Sequence, residues 1–375
     1  MAHPVPDYIR NLAPYIPGKP IEETKRELKL KRVIKLASNE NPLGPSPKGL
    51  LAARKSLVEL HRYPDSAAFS LKAALAKHLK TSPASILVGN GSNEIIDLLI
   101  RTFCVAGDAM VTSRAAFIAY RLCAQIHGVR TLEAAIDSAM QIDLDHLLQL
   151  VRDDARARIV FLANPNNPTG TYIDARRLRS FLQEVAKVRG GSVLVALDYA
   201  YWEYVTAKDL PDPMALQKEF PHVVMLRTFS KVYGLAGLRA GYGVAQPEII
   251  ADVEKVRQPF NTNSVSLAAA EAALKDTAFV ARARKLNTEG MKFWTRGLDS
   301  LGIPHWPSQG NFVLADVQGG LGQSGPEVYA ACLQQGVIFR PVANYGLPSA
   351  LRISLGTMTE NRLAFAALKK LGRKA

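Results

Sequence analysis

Residues 158–170 read Arg-Ile-Val-Phe-Leu-Ala-Asn-Pro-Asn-Asn-Pro-Thr-Gly, and they join a short apolar run to a turn. The apolar run, 159–163, has no alternating polar positions, which is typical of a strand buried on both faces of a parallel sheet. The prolines and asparagines after it favour a turn. A helical pattern follows at 174–187. Strand, turn and helix in this order form the repeating unit of an α/β fold.

Similar units lie on both sides of this one. Short apolar strands that alternate with helical patterns predict an α/β fold whose mainly parallel sheet is sandwiched by helices. The other predicted strands are 85–89, 109–112, 193–197 and 223–227, with further helices at 93–104 and 118–128.

The pattern changes near residue 264, where a second, smaller α+β domain is expected. A chain of 375 residues is also long for a single core. We predict an N-terminal arm at 1–44 that has no strand of its own and packs on the small domain, a large domain at 45–262, and the small domain at 263–375. The small domain is predicted to contain helices 266–301 and 359–371 and strands 310–315, 336–340 and 351–355.

Composition excludes several classes of protein. Hydrophobic residues make up 48% and charged residues 21%, as in a folded domain. The net charge is +14, but the basic residues are scattered among acids and no nucleic-acid recognition motif accompanies them. No apolar run reaches the ~18 residues of a membrane span, and we find no secretion signal. Three cysteines without metal-ligand spacing predict no metal site and a cytoplasmic location.

Polar segments follow four of the predicted strands. Sheets of this kind bind ligands beyond the carboxyl ends of their strands. Residues placed there should therefore form the functional site, and the segments are 89–92, 164–170, 198–201 and 228–231.

Lys231 is the candidate reactive group. A lysine amine with a lowered pKa forms Schiff bases with carbonyl compounds, although a lone lysine at a strand end is usually a surface residue. Its neighbours favour the first interpretation. The hydroxyls of Thr228 and Ser230 precede it, and Arg239 follows eight residues later. Hydroxyls and an arginine beside one lysine suggest a phosphate ligand.

The other strand ends complement this lysine. Asp198 could cap a helix, or it could place a negative charge beside a protonated ring nitrogen. Tyr201 could donate a hydrogen bond to a ring oxygen, and the Asn/Pro turn would point an amide into the same crevice. Residues 89–94 join a strand to a helix start, which favours an anion site. They lack the dinucleotide and P-loop glycine patterns, so nicotinamide and ATP chemistry are not supported.

These motifs together resemble the fold type I, pyridoxal-phosphate-dependent aminotransferases related to aspartate aminotransferase. Within that group the chain is similar to the histidinol-phosphate aminotransferases, and the similarity runs over residues 8–371. The motifs that carry it are Leu-Ala-Pro-Tyr-Ile-Pro-Gly at 12–18, Leu-Ala-Ser-Asn-Glu-Asn-Pro at 36–42, Arg-Tyr-Pro-Asp at 62–65, Asn-Pro-Thr-Gly at 167–170, Asp-Tyr-Ala-Tyr at 198–201, 228–239, Arg-Gln-Pro-Phe-Asn at 257–261 and Leu-Arg-Ile-Ser at 351–354.

The resemblance implies pyridoxal 5′-phosphate as the cofactor. Lys231 would hold it covalently and move a proton during the reaction, and Asp198 would pair with the ring nitrogen. Tyr63 would reach the phosphate from a second subunit, which implies a homodimer with shared sites. The remaining implied contacts are Tyr201 and Asn167 to the ring oxygen, Phe117 stacked on the ring, and Ser92, Asn93, Thr228, Ser230 and Arg239 to the phosphate.

The resemblance also implies small-molecule substrates. Arg352 would bind the substrate anion, and Arg340, Tyr15 and Asn167 would line the substrate pocket. The implied reaction exchanges an amino group between histidinol phosphate and 2-oxoglutarate, giving imidazole-acetol phosphate and glutamate, in histidine biosynthesis.

Three alternatives share the cofactor motifs. An aromatic amino-acid aminotransferase and a threonine-phosphate decarboxylase are the enzymatic ones. Regulatory domains that bind DNA are the third, but they carry a winged-helix segment for which we see no room before residue 8. One segment departs from the family pattern. Where many relatives have a Pro-Thr-aromatic run, residues 113–120 read Ser-Arg-Ala-Ala-Phe-Ile-Ala-Tyr.

Overall fold

A computed structural model describes residues 4–13 and 18–372. Its strands within these residues are β1 Ile34–Lys35, β2 Ile86–Gly89, β3 Ala109–Ser113, β4 Arg130–Ala134, β5 Ala157–Ala163, β6 Leu194–Asp198, β7 Val223–Thr228, β8 Gly241–Val244, β9 Phe312–Asp316, β10 Val337–Ile338, β11 Arg340–Val342 and β12 Leu347–Ser354.

The helices over the same residues flank these strands. They are α1 Asp7–Arg10, α2 Ile21–Leu28, α3 Pro47–Ser56, α4 Phe69–Leu79, α5 Ser92–Phe103, α6 Ile118–Ile126, α7 Leu144–Asp153, α8 Ala175–Lys187, α9 Pro213–Glu219, α10 Pro247–Val256, α11 Ser264–Leu274, α12 Thr277–Ser300, α13 Val317–Leu321, α14 Gly325–Leu333 and α15 Met358–Leu371. None of them is long and apolar enough to cross a membrane.

The large sheet has seven strands in the order β2-β8-β7-β6-β5-β3-β4. Strands β3 to β7 pair in parallel, and β8 is antiparallel to both β2 and β7. The predicted mainly parallel α/β fold is therefore confirmed. Sequence patterns missed β4 and β8 for physical reasons. Strand β4 lies at the sheet edge with charged, partly exposed side chains, and β8 contains two glycines, which weaken a strand signal.

Helices cover both faces of this sheet. Alternate residues of one strand point to opposite faces. In β5, Val160 and Leu162 belong to one apolar core, whereas Ile159 and Phe161 belong to another. Burial on both faces explains why the strand carries no polar alternation.

A second layer of structure is built from the two ends of the chain. Strands β11, β12 and β9 form an antiparallel sheet, and β1 pairs in parallel with β10. The expectation that residues 1–44 lack a strand was wrong, because β1 lies within them. This strand has only two residues, which is too short to give a periodic signal in the sequence. Leu36 joins a core with Trp294 and Leu351, so the arm packs on C-terminal elements as expected. The divisions at residues 44 and 262 stay a prediction.

The single helix predicted at 266–301 is in fact two helices, α11 and α12. The break lies at Asp276, whose carboxylate accepts hydrogen bonds from the Ser46 hydroxyl at 2.6 Å and from the backbone N–H of Phe279 at 3.4 Å. An aspartate at this position caps the second helix. The sequence contains that cap, but residues on both sides of it favour a helix, so the break was not predicted.

Candidate active site

The carboxyl ends of β5, β6 and β7 and the first turn of α5 converge on a cavity of about 260 Å³. This is the edge of the sheet at which ligands were expected. Residues predicted from sequence make up much of its wall. They are Ser92, Asn93, Phe117, Asn167, Asp198, Tyr201, Thr228, Ser230, Lys231, Arg239, Arg340 and Arg352.

Two predicted residues are not placed in this cavity. Tyr63 is 84% exposed and stacks on Phe260, with ring centroids 4.8 Å apart. Its predicted reach into a second subunit therefore stays a prediction. Tyr15 lies outside the described residues.

Lys231 follows β7 and lies among positive charges. Its Nζ is 3.4 Å from the carbonyl oxygen of Ser38 and 5.5 Å from the centre of the Tyr201 ring. Burial, together with the guanidinium groups of Arg352 and Arg239, lowers the pKa of Lys231 to about 8, while the carboxylate of Glu40 opposes this shift. Because the unprotonated amine is the nucleophile, this environment prepares Lys231 to react with a carbonyl group.

This lowered pKa predicts an unusual pH dependence of amine reactivity. In cofactor-free protein, the modification rate of Lys231 by trinitrobenzenesulfonate should rise with pH through a midpoint near 8, because only the free amine reacts. Peptide mapping by mass spectrometry follows the site, and exposed Lys218 serves as the internal control. Identical profiles for the two lysines would contradict the prediction.

Asp198 ends β6 with a buried carboxylate, 4% exposed. Its Oδ2 accepts a hydrogen bond from the Tyr120 hydroxyl at 2.9 Å, and its Oδ1 accepts one from the backbone N–H of Ala200 at 3.0 Å. Burial raises the pKa of Asp198, although both hydrogen bonds and nearby Lys231 favour the charged form. A cationic ring nitrogen in the cavity would further stabilise that form.

The sequence analysis included Tyr120 in the segment 113–120 but assigned it no role. Its ring stacks on Phe161, with centroids 4.9 Å apart, and fixes the hydroxyl beside Asp198. The residue lies on α6, outside the strand ends, so the strand-end rule could not find it.

Tyr201 is held by the N-terminal arm. The side-chain amide of Asn39 donates a hydrogen bond to the Tyr201 hydroxyl at 2.9 Å, and its Oδ1 accepts one from the Ser354 hydroxyl at 2.6 Å. The motif at 36–42 contains Asn39, but the sequence did not predict its contact with Tyr201. Sequence reasoning also assigned no role to Ser38, Glu40 and Tyr345, which line the cavity.

Two glycines leave an open space, here called the cradle, beside the first backbone N–H groups of α5. The preceding Gly91 has φ +80°, and a Cβ there would lie 2.7 Å from Nη2 of Arg239. A Cβ on Gly241 would lie 2.5 Å from the backbone nitrogen of Ser92. No side chain caps this helix, so its first N–H groups and its dipole favour an anion.

Hydroxyls complete the cradle. Oγ1 of Thr228 lies 3.0 Å from Oγ of Ser230, which in turn lies 3.4 Å from Nη1 of Arg239. Two hydroxyls, a guanidinium and free backbone N–H groups are the donors that bind a phosphate.

The second anion-binding end of the cavity comes from the antiparallel sheet. Arg340 and Arg352 are register partners on β11 and β12, and both are buried. Nη1 of Arg352 donates to Oδ1 of Asn167 at 2.6 Å, and Nη2 donates to the carbonyl of Ala37 at 2.6 Å. Its Nε has no partner among the described residues. A buried, oriented guanidinium is suited to a carboxylate or phosphate.

These groups fit pyridoxal phosphate. The amine of Lys231 suits its aldehyde, buried Asp198 suits its ring nitrogen, and the glycine-lined cradle would accept its phosphate. The rest of the cavity, near Arg340 and Arg352, remains for a substrate anion. No cluster of metal-ligating side chains occurs in the described parts of the chain.

Comparison with known proteins agrees with this geometry. The sequence matches the family described as Aminotransferase class I and II over residues 31–368. It is 50% identical over 367 residues to the histidinol-phosphate aminotransferase of Anaeromyxobacter sp. (strain Fw109-5), which covers 98% of each chain. It is 46% identical over 366 residues to histidinol-phosphate aminotransferase 2 of Pseudomonas fluorescens (strain Pf0-1), covering 97% of this chain and 96% of the relative.

A solved structure is similar over the whole chain. It is the histidinol-phosphate aminotransferase from Sinorhizobium meliloti in complex with pyridoxal-5′-phosphate, with a TM-score of 0.89 and 30% sequence identity. The match covers 100% of this chain and 99% of that one. By sequence and by fold, the chain belongs to the class I and II aminotransferases.

Proposed function

We propose that this aminotransferase exchanges an amino group between histidinol phosphate and 2-oxoglutarate, with pyridoxal phosphate as cofactor. The observation that carries the proposal is the pair of buried arginines, Arg340 and Arg352, in the cavity that also contains Lys231. The names of relatives at 46–50% identity support the same substrate.

Lys231 is proposed as the catalytic acid and base. When bound, pyridoxal phosphate supplies an aldehyde for the amino group and a protonated ring that withdraws electrons from the substrate Cα. In one half-reaction the Nζ of Lys231 would take the proton from the substrate Cα and deliver it to C4′ of the cofactor. In the other half-reaction it would carry a proton from C4′ back to Cα. A pKa near 8 suits both directions, because the best acid or base has a pKa close to the working pH.

Asp198 and Tyr201 are proposed to tune and orient the cofactor. Tyr120 fixes the Asp198 carboxylate, which would hold a proton on the ring nitrogen. Asn39 similarly fixes the Tyr201 hydroxyl, and Asn167 is oriented by Arg352. Because each of these side chains is hydrogen-bonded and buried, little reorganisation is needed during the reaction.

Arg352 is proposed to bind both substrates in turn. Histidinol phosphate carries a phosphate ester where glutamate carries its α-carboxylate, so one site must accept two anions. A planar guanidinium pairs with either group. Arg340 adds a second positive charge to the same end of the cavity.

A transamination assay with histidinol phosphate and 2-oxoglutarate tests the proposal. Glutamate formation dependent on histidinol phosphate supports it. Phenylalanine as the preferred donor would indicate an aromatic aminotransferase instead. Release of CO₂ from threonine phosphate would indicate a decarboxylase.

We also propose that the active unit is a homodimer. Exposed apolar side chains occur on α3, in the following turn and at the start of α4, which are the segments that flank Tyr63 in sequence, and a second copy would cover them. They are Leu50, Leu51, Leu57, Val58, Leu60 and Phe69, with Phe260 beside Tyr63.

Val58→Asp should separate the subunits. Val58 is 75% exposed in the single chain, and a buried unpaired charge at an interface is costly. We expect a monomer in analytical ultracentrifugation and a loss of activity, because Tyr63 could no longer reach a neighbouring site. Val105→Asp, at an apolar side chain 65% exposed elsewhere, is the matched control. A wild-type monomer with full activity would contradict the proposal.

The proposed location is the cytoplasm. Cys104, Cys123 and Cys332 are all free thiols, as is usual in a reducing compartment.

A further inference from the structure

A second cavity of about 400 Å³ adjoins the active-site cavity. Phe117 and Tyr345 line both of them, so a molecule bound at Arg352 could extend past these two rings. The rest of the wall is mixed apolar and polar, with Thr112, Arg114, Ala116, Ile118, Arg121, Glu133, Ile136, Asn344, Gly346 and Leu347.

Two guanidinium groups distinguish this cavity. Both arginines, Arg114 and Arg121, are exposed, and neither guanidinium forms a hydrogen bond or ion pair with another described residue. One carboxylate, Glu133, lies in the same wall. The two positive groups outweigh it, so the cavity favours an anion.

The loop that carries Arg114 is fixed by its neighbours. The backbone N–H of Arg114 donates to the carbonyl of Ala134 at 2.8 Å. The carbonyl of Ala115 accepts a hydrogen bond from the side chain of Asn166 at 3.0 Å. This is the segment, 113–120, that departs from the family pattern. These two hydrogen bonds hold Arg114 at the edge of the active site.

We propose that Arg114 and Arg121 bind the distal carboxylate of the dicarboxylic co-substrate. The inference rests on the proposed transamination with 2-oxoglutarate. One carboxylate of that substrate would pair with Arg352, and the other would lie in the second cavity. The phosphorylated amine has a neutral or cationic ring in place of the distal carboxylate, so it does not need these arginines. They are thus residues that determine specificity for one of the two substrates.

Binding of inert acids to the holoenzyme tests the site without turnover. Glutarate has two carboxylates and butyrate has one, and isothermal titration calorimetry gives both affinities. For the double variant Arg114→Gln/Arg121→Gln, we expect the preference for glutarate over butyrate to fall roughly tenfold. A change of this size corresponds to the loss of about one charge-assisted contact. Glu133→Gln should instead strengthen glutarate binding. An unchanged preference in the double variant would overturn the proposal.

Half-reaction kinetics supply a second readout. In the double variant the KM for 2-oxoglutarate should rise roughly tenfold, while the KM for histidinol phosphate stays the same. The control variant Arg296→Gln/Arg362→Gln removes the same charge from exposed positions on α12 and α15. Equal losses for both substrates, or equal effects in the control, would contradict the proposal. If wild-type protein does not transaminate but the glutarate preference behaves as expected, only the proposed function fails.

Discussion

Lys231→Ala is expected to reduce transamination by at least about 10³-fold, because the variant loses both the covalent attachment of the cofactor and the group that moves the Cα proton. Folding should not suffer. The lowered pKa of Lys231 shows that the folded protein disfavours its charged form, so removal of the amine relieves a cost. We therefore expect the Tm of the cofactor-free variant to equal or exceed that of the cofactor-free wild type.

The measurement combines the histidinol phosphate assay with calorimetry and with chemical rescue. Methylamine in the buffer can replace the missing base, and partial return of activity would show that the amine itself was lost. Lys218→Ala, at an exposed position on α9, is the matched control and should keep full activity. A Lys231→Ala enzyme that keeps most of its activity would exclude Lys231 as the catalytic amine.

Much of this site follows from the strand-end rule. The apolar run at 159–163 predicts a strand buried on both faces, and parallel strands bring their carboxyl ends to one edge. Asp198, Thr228 and Lys231 were expected together for that reason, and the structure places all three in one cavity. This prediction needs no three-dimensional information, because the local hydrophobic pattern indicates where each strand ends.

Contacts between distant parts of the chain could not be derived in this way. Asn39 bonds to Ser354, and Arg352 to the carbonyl of Ala37, each across 315 positions of sequence. No local pattern encodes such pairs. They depend on the short strand β1, which positions the arm against β10 and lacks the length for any periodic signal. The family motif at 36–42 was the one indication that this arm belongs to the site.

Arg352 holds these distant segments together. Its two bonded nitrogens connect the arm, at Ala37, to the loop after β5, at Asn167. Because its proposed role is to bind two different substrate anions, replacing Arg352 should impair both half-reactions. Arg352→Ala should lower kcat/KM for both half-reactions by about 10²-fold, equal to about 2.7 kcal/mol of lost transition-state binding in each.

The variant Arg352→Lys separates charge from geometry. Lysine keeps the positive charge but has no planar fork, so it cannot orient Asn167 and pair with an anion at once. We expect a smaller loss than for alanine, still shared by both substrates. Single-turnover absorbance changes of the cofactor measure each half-reaction independently. Arg296→Lys, on the exposed face of α12, is the control. If Arg352→Ala impaired the reaction of only one substrate, the two anions would have to bind at different places, and Arg340 would become the candidate for the other.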